Sequence, residues 1–337
     1  MRIEPLLGRV HPGRRITGMA AVLLPFAADG AIDWDTFRSL VERVAGACLT
    51  PAVNMDTGYV SLLDPSSRQQ VLDVTRAIGV EFVAGAYVDD TPGAPFDLDT
   101  HQRAVDSVAQ AGGLPILFPS HSQAALGEPD LLDALGRIGA RTDQFLAFEL
   151  GPMFLPQGRI LTADGFEALL AIPSCVGAKH SSLDRALEWD RLMTRDRVRP
   201  DFLVLSGNDL AIDMVMYGSD YLLGLAAFAP DAFARRDRCW ADGDSHFFGL
   251  NDVLQHLGHF AFRRPVPAYR HDAAMFLHHR GWTATDRTHP RSPTRPDSDR
   301  AILADIAHRL AILVDGVSGD ESGAASLAGP ATPTSTG

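Results

Sequence analysis

The sequence predicts an α/β protein, a (β/α)8 TIM barrel with additional C-terminal helices. Three observations carry that expectation. From residue 16 onward, short β-rich apolar runs alternate with amphipathic helical stretches, the pattern of βα units around a parallel sheet. Eight such units fit into about 220 residues, the usual size of such a barrel. Beyond about residue 240 the apolar spacing becomes purely helical.

The elements follow in order. Thr17 to Phe26 reads as the first strand, and Trp34 to Ala47 as a helix after the turn signal Asp29-Gly30. Ala52 to Met55 is a second strand, with a helix opening near Pro65. Glu81 to Ala86 is the third, with a helix from about Asp99 to Ala111. Pro115 to Phe118 is the fourth, with a helix from Leu131 to Gly139. Gln144 to Leu150 is the fifth, followed by Gly165 to Ala171. Ser174 to Lys179 is the sixth, followed by Ser182 to Thr194. Phe202 to Ser206 is the seventh, followed by Leu210 to Tyr217, and Asp220 to Leu225 is the eighth, followed by Pro230 to Trp240. Three further helices are expected at Ser245 to Phe262, Pro267 to Gly281 and Ser298 to Val314, with a Pro-, Thr- and Arg-rich loop at Thr283 to Pro296. The chain thus divides into an N-terminal extension (1–15), a barrel (16–240), a helical region (241–315) and a tail (316–337) too poor in apolar residues to fold.

The net charge of −12, spread along the chain, argues against nucleic-acid and anionic-membrane partners. No apolar run approaches the roughly 20 residues needed to span a bilayer, and Met1 to Arg15 lacks a signal-peptide core, so a cytoplasmic location is expected. Cys48, Cys175 and Cys239 are odd in number and widely spaced, and are read as buried thiols. His256 and His259 share a helix face, but no carboxylate cluster or HExxH motif accompanies them. No metal site is expected, and no glycine-rich phosphate loop indicates a nucleotide cofactor.

One compositional fact points to chemistry. Of the 30 basic residues, all are arginine except Lys179. Where arginine serves every general purpose, the remaining lysine is expected to do what a guanidinium cannot: lose its proton on burial and attack a carbonyl. Active sites of such barrels form at the C-terminal strand ends, and Lys179 lies at one. Strand alternation places Cys175, Gly177 and Lys179 on one face, with small Gly177 leaving room for the lysine stem.

Several segments together resemble one family. They are Leu23-Leu24-Pro25-Phe26 with Asp29-Gly30, Asp56-Thr57-Gly58 with Pro65 and Arg68, Gly177-Ala178-Lys179, and Leu205-Ser206-Gly207-Asn208-Asp209. Over roughly residues 16 to 230, their order and spacing are similar to those of the dihydrodipicolinate synthase / N-acetylneuraminate lyase family. The resemblance implies a class I Schiff-base enzyme acting on pyruvate or another 2-oxo acid, without a cofactor, as a homo-oligomer of two or four copies. It implies that Lys179 forms the imine, that Thr57 binds a substrate carboxylate, and that Gly207 and Asp209 line the distal substrate site. Leu225, at the end of the eighth strand, joins the binding candidates.

The departures from the family pattern redirect the chemistry. Asp56 stands where the family has a hydroxyl residue. Phe148 stands where it has a proton-relaying tyrosine, and Glu149 follows. His121 or Ser120 matches a tyrosine that the synthases place after the fourth strand. Glu149 is therefore expected as the acid/base if a bulge turns it inward, with a salt bridge to an arginine as the alternative. Asp56 is a second candidate for moving protons, and Arg159 is the expected clamp between Asp56 and a substrate carboxylate, unless the substrate carries none there. Backbone amides of the Asp56-Thr57-Gly58 turn are expected to hold the substrate, with His121 and Phe148 nearby. The reading is a lyase or aldolase. An imine-dependent dehydratase or hydratase, and a non-catalytic 2-oxo-acid-binding protein, remain alternatives.

Overall fold

The computed structural model describes residues 8–316; the expected tail lies almost wholly outside them. Eight parallel strands close into a barrel in sequence order, with β1 paired to both β2 and β8. They are β1 (Gly18–Ala21), β2 (Thr50–Val53), β3 (Val83–Ala86), β4 (Leu114–Leu117), β5 (Phe145–Leu150), β6 (Cys175–Ser181), β7 (Leu203–Ser206) and β8 (Asp220–Leu223). Around them run α1 (Trp34–Gly46), α2 (Pro65–Ile78), α3 (Leu98–Gln110), the short α4 (His121–Ala124), α5 (Glu128–Gly139), α6 (Ala163–Leu170), α7 (Arg185–Val198) and α8 (Pro230–Asp242). Helices α9 (His246–Ala261), α10 (Tyr269–His279) and α11 (Asp299–Gly316) follow.

Local chemistry explains these boundaries. Asp33, Asp64, Asp97, Thr162 and Asp184 cap α1, α2, α3, α6 and α7 with side-chain oxygens that accept from the first-turn amides, and Pro65 opens α2 where its missing N–H costs nothing. Phe37, Leu40, Val41 and Val44 recur at helical spacing and bury one face of α1. The first strand is shorter than expected. It ends at Ala21, after which Val22 to Pro25 stay buried as a loop and only Phe26 pairs, with Ile32. The expected helix after β7 is a tight 3-10 turn, Ile212–Tyr217, and the C-terminal end of the expected eighth strand curls into another at Leu225–Ala227. The second turn directs the Leu225 N–H to Asp209 Oδ1 at 2.8 Å.

The N-terminal segment seals the opposite end of the barrel. The His11 N–H donates to Met216 O at 2.8 Å, Trp240 Nε1 donates to His11 O at 3.0 Å, and Arg14 pairs with Asp220 at 2.8 Å. At the C-terminal end of the barrel, α9 braces the loop after β7: Gln255 accepts from Ile212 N at 2.9 Å and donates to Asp209 O at 3.2 Å. Among the described residues no helix is long and apolar enough to cross a membrane. Cys175 and Cys239 are buried, but Cys48 is exposed, a correction to the reading of all three thiols as core. It follows α1 with φ 62°, where the chain turns sharply toward β2.

Candidate active site

Lys179 lies near the C-terminal end of β6, paired with Phe148 on β5 and Leu205 on β7. Residues paired across a parallel ladder point to the same side of the sheet, and the Lys179 amine sits over the Phe148 ring, 4.6 Å from its centre. Phe118 meets Phe148 edge to face at 5.0 Å. The lysine is only 7% exposed, and its amine has no salt-bridge or hydrogen-bond partner among the described residues. Burial pushes its pKa down from 10.5 to about 8, against the opposing pull of the Asp209 and Asp56 carboxylates. Room for its stem comes from Gly207 rather than from Gly177. A Cβ on Gly207 would stand 2.8 Å from Lys179 Cε, whereas one on Gly177 would meet Leu203 and Leu146.

The turn after β2 supplies the facing groups. Asn54 and Tyr59 bracket it with φ 50° and 60°, an unusual backbone for non-glycine residues, and Asn54 is tied to Arg68 O at 3.0 Å. Within the turn, Gly58 N–H donates to Met55 O and Tyr59 N–H to Asp56 O, each at 3.0 Å, so these amides are spent on the turn and not free for substrate. That corrects the expectation for Gly58. Asp56 and Thr57 are both buried.

Neither Asp56 nor Thr57 acts alone, because α10 delivers two residues that sequence reasoning missed. Tyr269 OH donates to Asp56 Oδ2 at 3.0 Å and lies 2.8 Å from Thr57 Oγ1. Arg270 donates to Asp56 Oδ1 at 3.3 Å, both side chains almost fully buried. Tyr269 stacks on Phe262 at 4.3 Å, and Gly224 makes way for it: a Cβ there would lie 3.1 Å from Tyr269 Cε2 and 3.2 Å from Thr57 Oγ1. Burial and the neighbouring Asp56 charge push the Tyr269 phenol well above its ordinary value. The arginine beside Asp56 is thus Arg270 and not Arg159. Arg159 donates to Leu126 O at 2.8 Å and lines a cleft with Leu131, Leu135 and Gln157, between the ends of β4 and β5 and the face of α5. The signal available in the sequence was a Tyr-Arg-His-Asp run in an otherwise apolar helix, which is costly to bury unless it has partners.

Asp209, in the loop after β7, is buried and accepts at Oδ1 from the N–H of Leu225 at 2.8 Å. Burial raises its carboxyl to about 7, despite the Leu225 hydrogen bond and the Lys179 charge. Leu225 therefore contributes its backbone, not its side chain, to the site's polar groups. His121 begins α4; its main-chain N–H donates to Asp90 Oδ1 at 2.8 Å, and its side chain is half-buried.

Glu149 does not join these groups. It pairs with His180 across the β5–β6 ladder, one residue out of phase with Phe148 and Lys179, and so faces the helix layer. The register irregularity in this pair falls at Phe145/Leu146, before Glu149, and does not turn it inward. Arg191 holds it through Nε at 3.1 Å and Nη2 at 2.7 Å, His180 Nδ1 lies 2.8 Å away, and Leu161 N donates at 3.0 Å. Burial alone would raise its pKa, but His180 and Arg191 hold it below the usual carboxylate range. This is the salt-bridge alternative, so Glu149 is corrected from catalytic candidate to a scaffold residue between β5, β6 and α7.

Comparison with known proteins follows the same lines. The sequence matches no protein-family model and no curated protein sequence. Solved structures match along nearly the whole chain. One is a prophage protein from E. coli K12 belonging to the dihydrodipicolinic acid synthase family, in complex with pyruvate; it is 17% identical, with a TM-score of 0.73, over 88% of this chain and 98% of that one. A dihydrodipicolinate synthase from Thermotoga maritima matches at 15% identity and a TM-score of 0.74, over 89% of this chain and 100% of that one. A catalytic-lysine mutant of the sialic acid aldolase from Ruminococcus gnavus matches at 15% identity and 0.72, over 89% and 97%. At these identities the likeness is one of fold, and the chain has the fold of the dihydrodipicolinate synthases and sialic acid aldolases: a (β/α)8 barrel extended by C-terminal helices.

Proposed function

We propose that this chain is a divergent member of the dihydrodipicolinate synthase / N-acetylneuraminate lyase family, a Schiff-base lyase acting on a 2-oxo acid or related carbonyl compound through Lys179. The observation that carries this is the state of its only lysine: buried at a C-terminal strand end of the barrel, without a partner among the described residues, with a pKa of about 8. At pH 7 about one such amine in ten is neutral, against about one in 3,000 at the ordinary value of 10.5. The relatives in fold support the reading, since one carries pyruvate and another has a catalytic lysine.

In the proposed reaction the neutral Lys179 nitrogen adds to the carbonyl carbon. The carbonyl oxygen takes one proton from the nitrogen and a second from the Asp209 carboxyl, and departs as water to leave a protonated imine. Cleavage of the bond between the carbons α and β to the iminium carbon sends its electron pair into the iminium, giving an enamine, as the hydroxyl on the β carbon gives up a proton and becomes a carbonyl. Protonation of the enamine and hydrolysis then return the free amine. Asp209, with its carboxyl near 7, is suited to give and take these protons. The Tyr269 hydroxyl, bridging Thr57 and Asp56, offers a second path, and supplies the phenol that Phe148 lacks from a different element.

Trapping tests the reading directly. Incubation with a panel of carbonyl compounds and borohydride should place one adduct on Lys179, located by peptide mass spectrometry. Failure of the whole panel to label Lys179 would overturn it and leave a binding protein on the same barrel. Product analysis separates carbon-carbon cleavage from dehydration. Condensation of pyruvate with aspartate semialdehyde is expected to be absent, because the turn after β2 and the end of β5 both depart from the synthase pattern.

A further inference from the structure

We infer a second binding site, outside the barrel and behind β5, that takes a short aliphatic carboxylate. It is the cleft lined by Arg159, and it stands independently of imine formation at Lys179.

The cleft is built on the outer face of the sheet. Along β5, Phe148 turns to the Lys179 amine, so its neighbours Ala147 and Glu149 turn to the helix layer. There Ala147 joins Leu117 from β4, Leu131 and Leu135 from α5, and Leu161 from the loop after β5 in an apolar wall. The space between them is about 50 Å³, room for roughly four water-sized groups, which limits the apolar part of an occupant to a short chain. β5 itself separates this space from the amine.

The polar groups of the cleft mark it as a site rather than a packing gap. Gln157 is 7% exposed, and its side-chain amide has no hydrogen-bond partner among the described residues. Gln123 is 5% exposed; its Oε1 accepts from Ser120 N at 3.2 Å, and its Nε2 has no partner among the same residues. A buried amide left without a partner is costly, so two of them lining one cleft call for a polar occupant. Arg159 gives the sign of that occupant. It donates from Nη1 to Leu126 O at 2.8 Å and forms no ion pair among the described residues, which leaves Nε and Nη2 to donate. Glu149 also lines the cleft, but Arg191 and His180 already hold its charge, so it does not neutralise Arg159. An unpaired guanidinium and two primary amides beside an apolar wall fit a carboxylate with a short aliphatic tail.

The segment that carries these groups is fixed in advance. Gly158, between Gln157 and Arg159, lies so close to the end of β5 that a Cβ there would collide with Leu150 O, and its N–H donates to Leu155 O at 2.9 Å. Further on, Leu161 N–H donates to Glu149 Oε1 at 3.0 Å, and Leu161 O accepts from Arg191 at 2.7 Å. A loop tied at both ends loses little freedom when a ligand arrives.

The probe is 3-methylbutanoate, and the control is 3-methylbutanamide, which has the same carbon skeleton without the charge. Neither carries a ketone or aldehyde, so neither forms an imine and failure here leaves the reading of Lys179 untouched. Binding to the full-length protein is followed by ligand-observed NMR titration. The acid is expected to bind at least about tenfold more tightly than the amide, and Arg159→Gln should remove that preference. Gln157→Met breaks no side-chain hydrogen bond within the described protein and should weaken the acid by at least about fivefold, so it decides the matter if Arg159→Gln does not fold. Lys179→Met should bind the acid as the wild type does. No saturable binding of the acid, or equal binding of acid and amide, overturns the inference. Binding that both Arg159→Gln and Gln157→Met leave unchanged, or that Lys179→Met abolishes, places the anion elsewhere and overturns it as well.

Discussion

Acylation of Lys179 should follow a titration curve centred near pH 8, and Asp209→Asn should move that centre to lower pH. Only the neutral amine reacts with an acylating reagent, and with a single lysine in the chain the modified peptide is unambiguous. Burial brings the amine from 10.5 to about 8, a difference of about 2.5, or about 3 kcal/mol at about 1.4 kcal/mol for each tenfold step. Asp209 and then Asp56 oppose that fall, since each carboxylate favours the ammonium form. Two unit charges at an effective dielectric near 20 interact by about 4 kcal/mol at about 4 Å and by less as they separate. Asp209 is only partly ionised around neutrality, so its removal should lower the centre by roughly one pH unit, to near pH 7. Asparagine keeps an oxygen for the Leu225 amide, so the loop after β7 is expected to hold its shape. The wild-type curve should also be broad, because amine and carboxyl titrate close together, and the variant curve should be single. The assay is pH-dependent labelling read by mass spectrometry. A wild-type centre near 10.5 would refute the burial, and a variant centre that stays put or rises would refute the placement of Asp209 beside the amine.

Further expectations concern stability and the helix layer. Lys179→Met should stabilise the fold by about 3 kcal/mol at pH 7 in urea unfolding: a lysine whose folded pKa lies below its unfolded one destabilises fully below about 8, and the gain should fade as pH rises toward 10.5. A destabilised variant at pH 7 would contradict this. Glu149→Ala leaves Arg191 buried without its partner and should cost about 3–5 kcal/mol, while the centre of the Lys179 labelling curve stays near pH 8; a displaced centre would return Glu149 to the site. Glu188 on α7 is fully buried, and among the described residues neither carboxylate oxygen has a hydrogen-bond partner; His180, and then the Ser206 and Ser219 hydroxyls, only temper the burial that raises it from 4.5 to about 7. Its charged form destabilises increasingly as pH climbs from 4.5 through 7. Glu188→Gln should therefore change little at pH 4 and stabilise by up to about 3 kcal/mol at pH 9, and an equal effect at both pH values would count against it.

The sequence by itself determined what depends on local periodicity and on residue type. Alternating apolar runs and helical stretches give the eight βα units, because burial of one sheet face and one helix stripe leaves its period in the chain. A lone lysine among arginines at a strand end marked the candidate nucleophile, because no other residue type combines a titratable amine with a flexible stem. Tertiary structure alone decided which groups surround it. Glu149 and Phe148 are adjacent in sequence, yet the β5–β6 register turns Phe148 to the amine and Glu149 to Arg191, 42 positions later. Tyr269 and Arg270 reach Asp56 from more than 200 positions away, through the path that α10 takes across the barrel mouth. Nothing in the spacing of either segment encodes that meeting. It is fixed by packing, by the stacking of Tyr269 on Phe262, and by Gly224 standing aside for the ring.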